Sequence, residues 1–281
     1  VEKDPEACKP DILLAYELFT ESKAVMLYPI NLLRNLARLQ ARTPILALAD
    51  VDMLLSRDIF EVMLNEKKSE AMVKELRDNS VYVMPAFETY GVQHEAAALA
   101  DVLVTQDKAF LAAAVKKGIV APFDSRRFLQ GHNCTNFARW YKDDKQYEVK
   151  YGDRYEPWVI ADRSNVPWHD VRFRGYGNNK IQQIAHINST NFRFVVLPTA
   201  FIIHRCHKET SARHRLISSK IAFDKAVARK KAVDKTSVYG HTRTMFDIAK
   251  EQMNQGKFQA VIDPATLHCR SVLSWWSLKA F

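Results

Sequence analysis

The stretch Ile45-Leu46-Ala47-Leu48-Ala49-Asp50-Val51-Asp52 constrains this chain more than any other. An almost unbroken apolar run that ends in two carboxylates one residue apart predicts a buried strand whose C-terminal end opens onto a polar site. Ligands of α/β sheets gather at that edge. Asp50 and Asp52 are hard oxygen ligands suited to Mg²⁺ or Mn²⁺, and such an ion would in turn hold a diphosphate. Acidic pairs at strand ends are otherwise solvated loop residues, so the surrounding text has to decide.

At 281 residues, 47% of them hydrophobic, the chain is long enough to bury a substantial core. Its formal charge of +9 favours anionic partners, although an ordinary basic surface explains it equally well. No run approaches the roughly 18 apolar residues that span a bilayer. The sequence starts at Val1 and not at Met, so the expectation is a fragment, or a chain whose targeting segment lies outside it. Cys8, Cys134, Cys206 and Cys269 form no C-x-x-C pair, which argues against a zinc or redox motif while leaving disulfides open. Asn133-Cys134-Thr135 and Asn188-Ser189-Thr190 are N-glycosylation triplets.

Leu13, Leu14, Tyr16, Leu18 and Phe19 suggest a short helix or strand. Pro29 then opens a helix whose apolar stripe is Ile30, Leu33, Leu36 and Ala37, turning Asn31, Arg34, Asn35 and Arg38 the other way. Thr43-Pro44 ends it. Residues 58–77 read as one surface helix and 81–88 as a buried strand ended by Glu88. Ala96 to Lys117 reads as a helix with Gly118 as its C-cap. Between Phe128 and Trp140, polar residues alternate with aromatic ones, a composition suited either to sugar recognition or to a structured loop around a buried Trp. A strand over 155–160 carries Glu156, and Gly175 and Gly177 precede a helix starting near Asn178. A long strand from Phe194 to Ile203, broken by Pro198, delivers His204 and His207, either of which suits a cation already held by carboxylates. After His207 the chain turns basic and helical, with one further helix over 244–254 and an apolar end over 272–281.

Taken in order, several segments resemble glycosyltransferase family 49, the LARGE and β-1,4-glucuronyltransferase type. They are Tyr28 to Ala37, Asp50-Val51-Asp52, Pro85 to Glu88, Gly131-His132, Thr135 to Trp140, Tyr147 to Val149, and Glu156 to Trp158. Asp170, Arg172-Phe173, Gly175 to Lys180, Val196 to Pro198, Ala200-Phe201 and His204 complete the set, which spans residues 28–207.

The resemblance implies an α/β fold of the GT-A glycosyltransferase type, a central mixed sheet flanked by helices, shortened at its N-terminus. It places that domain over 1–215, leaving 216–281 as a basic helical extension. It implies metal-dependent, inverting transfer from a UDP-sugar donor, with glucuronic acid as the sugar, to a glycan or glycoprotein acceptor. Mn²⁺ or Mg²⁺ is expected on Asp50, Asp52 and His204, with His204 preferred to His207. Asp170 is the expected base, with Glu156 competing. Arg34, Asn35, Asp50 and Lys180 are expected on the donor. Gly131, His132, Asn136, Trp140, Arg172, Gly175 and Gly177 are expected on the substrate. The resemblance also implies a type II membrane protein of the Golgi lumen anchored by a segment outside this chain, allows a homodimer, and gives no place to nucleic acid. The competing reading is a non-catalytic truncated relative or a carbohydrate-binding module.

Overall fold

Two prolines divide the central part of the chain. Proline has no N–H to give to a ladder, and Pro85 accordingly splits the expected 81–88 strand into β3 (Ser80–Met84) and β4 (Ala86–Thr89). The segment around Pro198 likewise separates β8 (Arg193–Val196) from β9 (Ile202–His204). β3 runs parallel to β8 and β4 runs parallel to β9, so the two broken strands lie side by side and pass together from one sheet into another. The structure, a computed structural model, describes residues 12–20 and 27–277.

The other elements attach to this seam. The helix α1 (Ile30–Gln40) leads to β1 (Ile45–Ala47), a turn, and β2 (Met53–Leu55). The helices α2 (Arg57–Leu64) and α3 (Glu66–Arg77) precede β3, and α4 (Gln93–Leu103) and α5 (Lys108–Lys116) follow β4. Then come β5 (Val120–Pro122), the one-turn α6 (Phe137–Trp140), β6 (Tyr147–Val149), β7 (Trp158–Asp162) and α7 (Asn179–Ser189). The chain closes with α8 (Ser211–Ala228), α9 (Val238–Asn254), α10 (Pro264–Val272) and α11 (Ser274–Ser277). The larger sheet has the order β1-β7-β3-β8-β6 and the smaller β2-β9-β4-β5; both are mixed and flanked by helices, as a GT-A-like domain requires.

Alternation along β3 and β8 builds the core on both faces of the larger sheet. Val81, Val83, Phe194 and Val196 meet Trp140, Tyr155 and Ile187 on one side. Tyr82, Met84 and Val195 meet Met72, Leu76 and Ile160 on the other. A third cluster joins Phe173, Ile181 and Ala185 to Phe246 and Ala249, so α9 of the basic C-terminal region is seated on α7.

Several local expectations are corrected. The Ile45–Asp52 run is not one buried strand: its ladder stops at Ala47, and among the described residues β1 is an edge strand paired with β7 alone. The 58–77 helix breaks at Asn65, whose side chain accepts from Lys68 N–H and caps α3. The helix expected over 96–117 breaks before Asp107, which caps α5 through Phe110 N–H. Gly118 ends α5 with φ +74°, as its position suggested. Residues 12–20 are neither helix nor strand, and their side chains are exposed. Cys134, Cys206 and Cys269 are free thiols, while Cys8 lies outside the described residues. So do the last four residues of the apolar end.

The largest correction concerns α1, whose buried face is the polar one: Asn31, Arg34, Asn35, Arg38 and Leu39. The reason is a demand for donors. The loop over 163–170 lacks ladder partners for its carbonyls, and buried carbonyls must be paired. Asn31 Nδ2 donates to Asp170 O at 2.8 Å, Asn35 Nδ2 to His169 O at 2.8 Å, and Arg38 Nη2 to Val166 O at 2.8 Å. From the far end of the chain the indoles of Trp275 and Trp276 donate to Leu39 O at 2.8 and 2.9 Å. No helix among the described residues is long and apolar enough to cross a membrane.

Candidate active site

The antiparallel register of β2 and β9 pairs Met53 with His204, which brings the turn before β2 against the residues after β9. Arg205 N–H donates to Asp52 O at 2.7 Å and extends that pairing by one residue. Asp52 therefore faces both histidines. Its Oδ2 lies 3.4 Å from His204 Nε2 and 2.9 Å from His207 Nε2, and the three ligand atoms all fall within 4.8 Å of one another. Cis ligands about 2.1 Å from an octahedral ion are separated by roughly 3 Å, so the two measured edges suit a shared divalent cation.

His207 Nδ1 is 2.6 Å from Lys208 O, and a carbonyl only accepts, so Nδ1 carries the proton. Nε2 then faces the Asp52 carboxylate, where either a proton or a cation can link the two. The hydrogen bond to His204 is the leading cause of an Asp52 carboxyl held down at about 2, against the opposing effect of burial.

Asp50 stands outside this trio and is engaged elsewhere. Arg34 Nη2 is 3.5 Å from Oδ1, Lys180 Nζ is 3.7 Å from Oδ2, and Trp158 Nε1–H donates to Oδ2 at 3.2 Å. Arg34 also donates to Asn179 Oδ1 at 2.7 Å and Asn31 Oδ1 at 3.1 Å. Burial lowers the affinity of both cations for their protons, and Asp50 works against that loss. Arg34 is buried.

Aromatic rings connect the cationic end to the histidine end. Lys180 Nζ sits 3.3 Å from the centroid of the Trp158 ring, which is stacked on His132 at 5.6 Å and 6°. Phe123 packs edge-on against His132 and Trp158 and reaches His204 at 5.2 Å. His132 is buried, and burial first, then Lys180, pushes its pKa down to about 3. The ring is neutral, and its Nε2 has no partner among the described residues.

Glu156 completes the site. Burial pushes its carboxyl up to about 7, Asp124 and Asp50 add to the shift, and Lys180 and Arg34 oppose it. Gly131 lies against it: Glu156 N–H donates to Gly131 O at 2.9 Å, and a Cβ at 131 would lie 3.3 Å from Glu156 Cγ and 2.7 Å from Phe128 Cδ1. Gly175, Gly177 and Asn178 take φ of +70°, +103° and +56°, making the turn that starts α7 with Asn179 and Lys180 facing Arg34 and Asp50.

Other expected site residues serve the scaffold. The Asp170 carboxylate has no exposed surface and is gripped by Arg172, whose Nε and Nη2 lie 3.0 and 2.5 Å from its oxygens. Asn35 uses both amide atoms on the backbone of His169. Asn136 caps α6, and Trp140 is a core residue whose indole donates to Leu197 O at 2.8 Å. Three participants were not expected: Trp158, Phe123 and His207 as a companion to His204. The strand expected over 155–160 is displaced to β7 (Trp158–Asp162), which leaves Glu156 in the loop before it and begins at Trp158. Phe123 had no signal in the sequence.

Residues 2–238 match the family described as "Glycosyl-transferase for dystroglycan". The chain is 33% identical to xylosyl- and glucuronyltransferase LARGE2 of Mus musculus over 193 residues, covering 69% of this chain and 26% of that protein. It is 32% identical to LARGE1 of Gallus gallus and 33% to LARGE1 of Danio rerio, each over 64% of this chain and 22% of the relative. The chain thus spans about a quarter of the length of the curated relatives it matches.

Proposed function

The chain belongs to the family of glycosyl-transferases for dystroglycan, and from that premise we propose that it transfers a sugar, glucuronic acid, from a UDP-sugar to a hydroxyl of a glycan acceptor with inversion. The observation that carries this reading is the convergence of Asp52, His204 and His207 beside the Asp50–Arg34–Lys180 group. Asp52, His204 and His207 would hold Mn²⁺ or Mg²⁺, a Lewis acid that stabilises charge on phosphoryl oxygens when bound. Asp50 is fixed between Arg34, Lys180 and the Trp158 indole, with its carboxylate partly exposed beside the trio.

The base is Glu156. Asp170 was the first expectation, but a carboxylate with no exposed surface and a bidentate arginine on it is badly placed to receive a proton from a substrate. Glu156 accepts the proton of the acceptor hydroxyl as that oxygen bonds to the anomeric carbon, the bond from that carbon to the diphosphate breaks, and UDP departs with the electron pair. A carboxyl poised near 7 is suited to this exchange. The neutral, unpartnered His132 offers one hydrogen-bonding atom to a sugar hydroxyl, and the Trp158 shelf offers apolar surface to its C–H face. A Golgi-lumenal setting accompanies this reading.

The test is turnover of a panel of UDP-sugars by the purified protein with Mn²⁺ and with EDTA, alongside Asp52→Asn. UDP release that needs the metal and falls on the order of 100-fold in the variant supports the assignment. Turnover indifferent to both changes overturns it. Absence of UDP binding in calorimetry with Mn²⁺ present favours a non-catalytic glycan-binding relative.

A further inference from the structure

The basic helix after the histidines has no apolar face of its own and buries no residue fully, yet it touches the site at one point. Gly177 has φ +103°, and a Cβ built there would lie 3.2 Å from both Cδ1 and Cδ2 of Leu216 in α8. A Cβ there would press the leucine tip back by a few tenths of an ångström, and the positive φ disfavours a side chain in any case. Arg213, one turn earlier on the same face of α8, draws the Tyr176 phenol's pKa down against burial, which raises it, and against the negative charges of Glu156, Asp124 and Asp50. Further along the same face Lys220 lies 5.7 Å from the centroid of the Tyr239 ring, and Phe223 packs edge-on against that ring at 5.3 Å. The helix α9 that carries Tyr239 is in turn seated on α7 through Phe246 and Ala249. One end of α8 is thus fastened to the core through α9, and the other presses on the glycine loop.

What the loop carries makes the contact consequential. Gly175, Gly177 and Asn178 all occupy positive φ, a backbone stretch that little but its surroundings holds in place. Its hydrogen bonds include Gly175 N–H to Tyr28 O at 2.8 Å, Asn179 Nδ2 to Gly175 O at 3.2 Å and Gln182 N–H to Asn178 O at 2.8 Å. Directly after it come Asn179, which accepts from Arg34, and Lys180, which faces Asp50 and Trp158.

We propose that α8 forms part of the site wall and that Leu216 is a positioning residue, acting through Gly177 to hold Asn179 and Lys180 in register with Arg34 and Asp50. The consequence for the donor rests on the glycosyltransferase reading above; the coupling of helix to loop does not.

Hydrogen exchange of the ligand-free chain tests the coupling. In Leu216→Ala, amides in a peptide spanning residues 173–182 should exchange about five- to tenfold faster, while peptides from β3 and β8 keep their rates. Leu216→Met, which refills the contact, should restore slow exchange and also serves if the alanine variant does not fold. Ile221→Ala, at an exposed position of the same helix, should leave the loop unchanged. In calorimetry with Mn²⁺, Leu216→Ala should weaken UDP binding roughly fivefold. Loop exchange in Leu216→Ala equal to that of the unaltered chain, or a rise shared by every peptide, overturns the proposal. If the unaltered chain binds no UDP, the transferase reading fails, and the exchange comparison still decides whether Leu216 holds the loop.

Discussion

Asp52, His204 and His207 divide one chemical task among three side chains, and their separations make each one replaceable only at a cost. His204→Ala and His207→Ala should lower Mn²⁺ affinity by comparable factors, about 10- to 100-fold, measurable by calorimetry. A variant at 207 that binds metal as well as the unaltered chain would return that histidine to the surface. Glu156 makes a prediction of opposite character. Its folded pKa of about 7 lies above the usual glutamate value, so the folded chain holds a proton that the unfolded chain has already released. The associated stability is complete below about pH 4.5 and is lost as pH rises through 7. Glu156→Gln should therefore raise the unfolding temperature at pH 8 and leave it nearly unchanged at pH 4, while abolishing the rise of kcat/KM with an apparent pKa near 7. A pH–rate profile unaltered by the substitution would remove Glu156 from the base's role.

Among the elements, α1 shows how hydrogen-bond demand overrides hydrophobic pattern. Its sequence contains a leucine-rich stripe, yet the neighbouring loop needs donors, and the side bearing Asn31, Asn35 and Arg38 turns inward. Asn35→Leu should cost about 2–3 kcal/mol in denaturant unfolding, because the N–H and C=O of His169 both lose their partner. A near-neutral result would mean that water replaces the amide. Trp140 separates the two readings of its loop. With its indole buried in the core, Trp140→Ala should cost about 3–5 kcal/mol. In whatever fraction folds, KM for the acceptor should be unchanged; a selective loss of acceptor binding at full stability would restore the residue to sugar recognition.

At the scale of the whole molecule, two sheets share broken strands, and the site lies where the turn before β2 and the end of β9 meet β7 and the start of α7. A cation bound there would tie the turn before β2 to the end of β9 and the residues after it, so saturating Mn²⁺ at about 100 times Kd should stabilise the fold by roughly 2.7 kcal/mol, and Asp52→Asn should remove that gain in thermal unfolding. The sequence alone determined the carboxylate pair after the apolar run, the glycine turn before α7, the break at Pro198 and the likeness to glycosyltransferases, because each depends on local backbone chemistry or on residue order. It turned the wrong face of α1 inward, and it left open whether His207 joins His204 and that Phe123, Trp158 and His132 form one aromatic shelf. Those outcomes arise from contacts between residues tens to more than a hundred positions apart. The sheet register brings them about, and local propensity does not encode it.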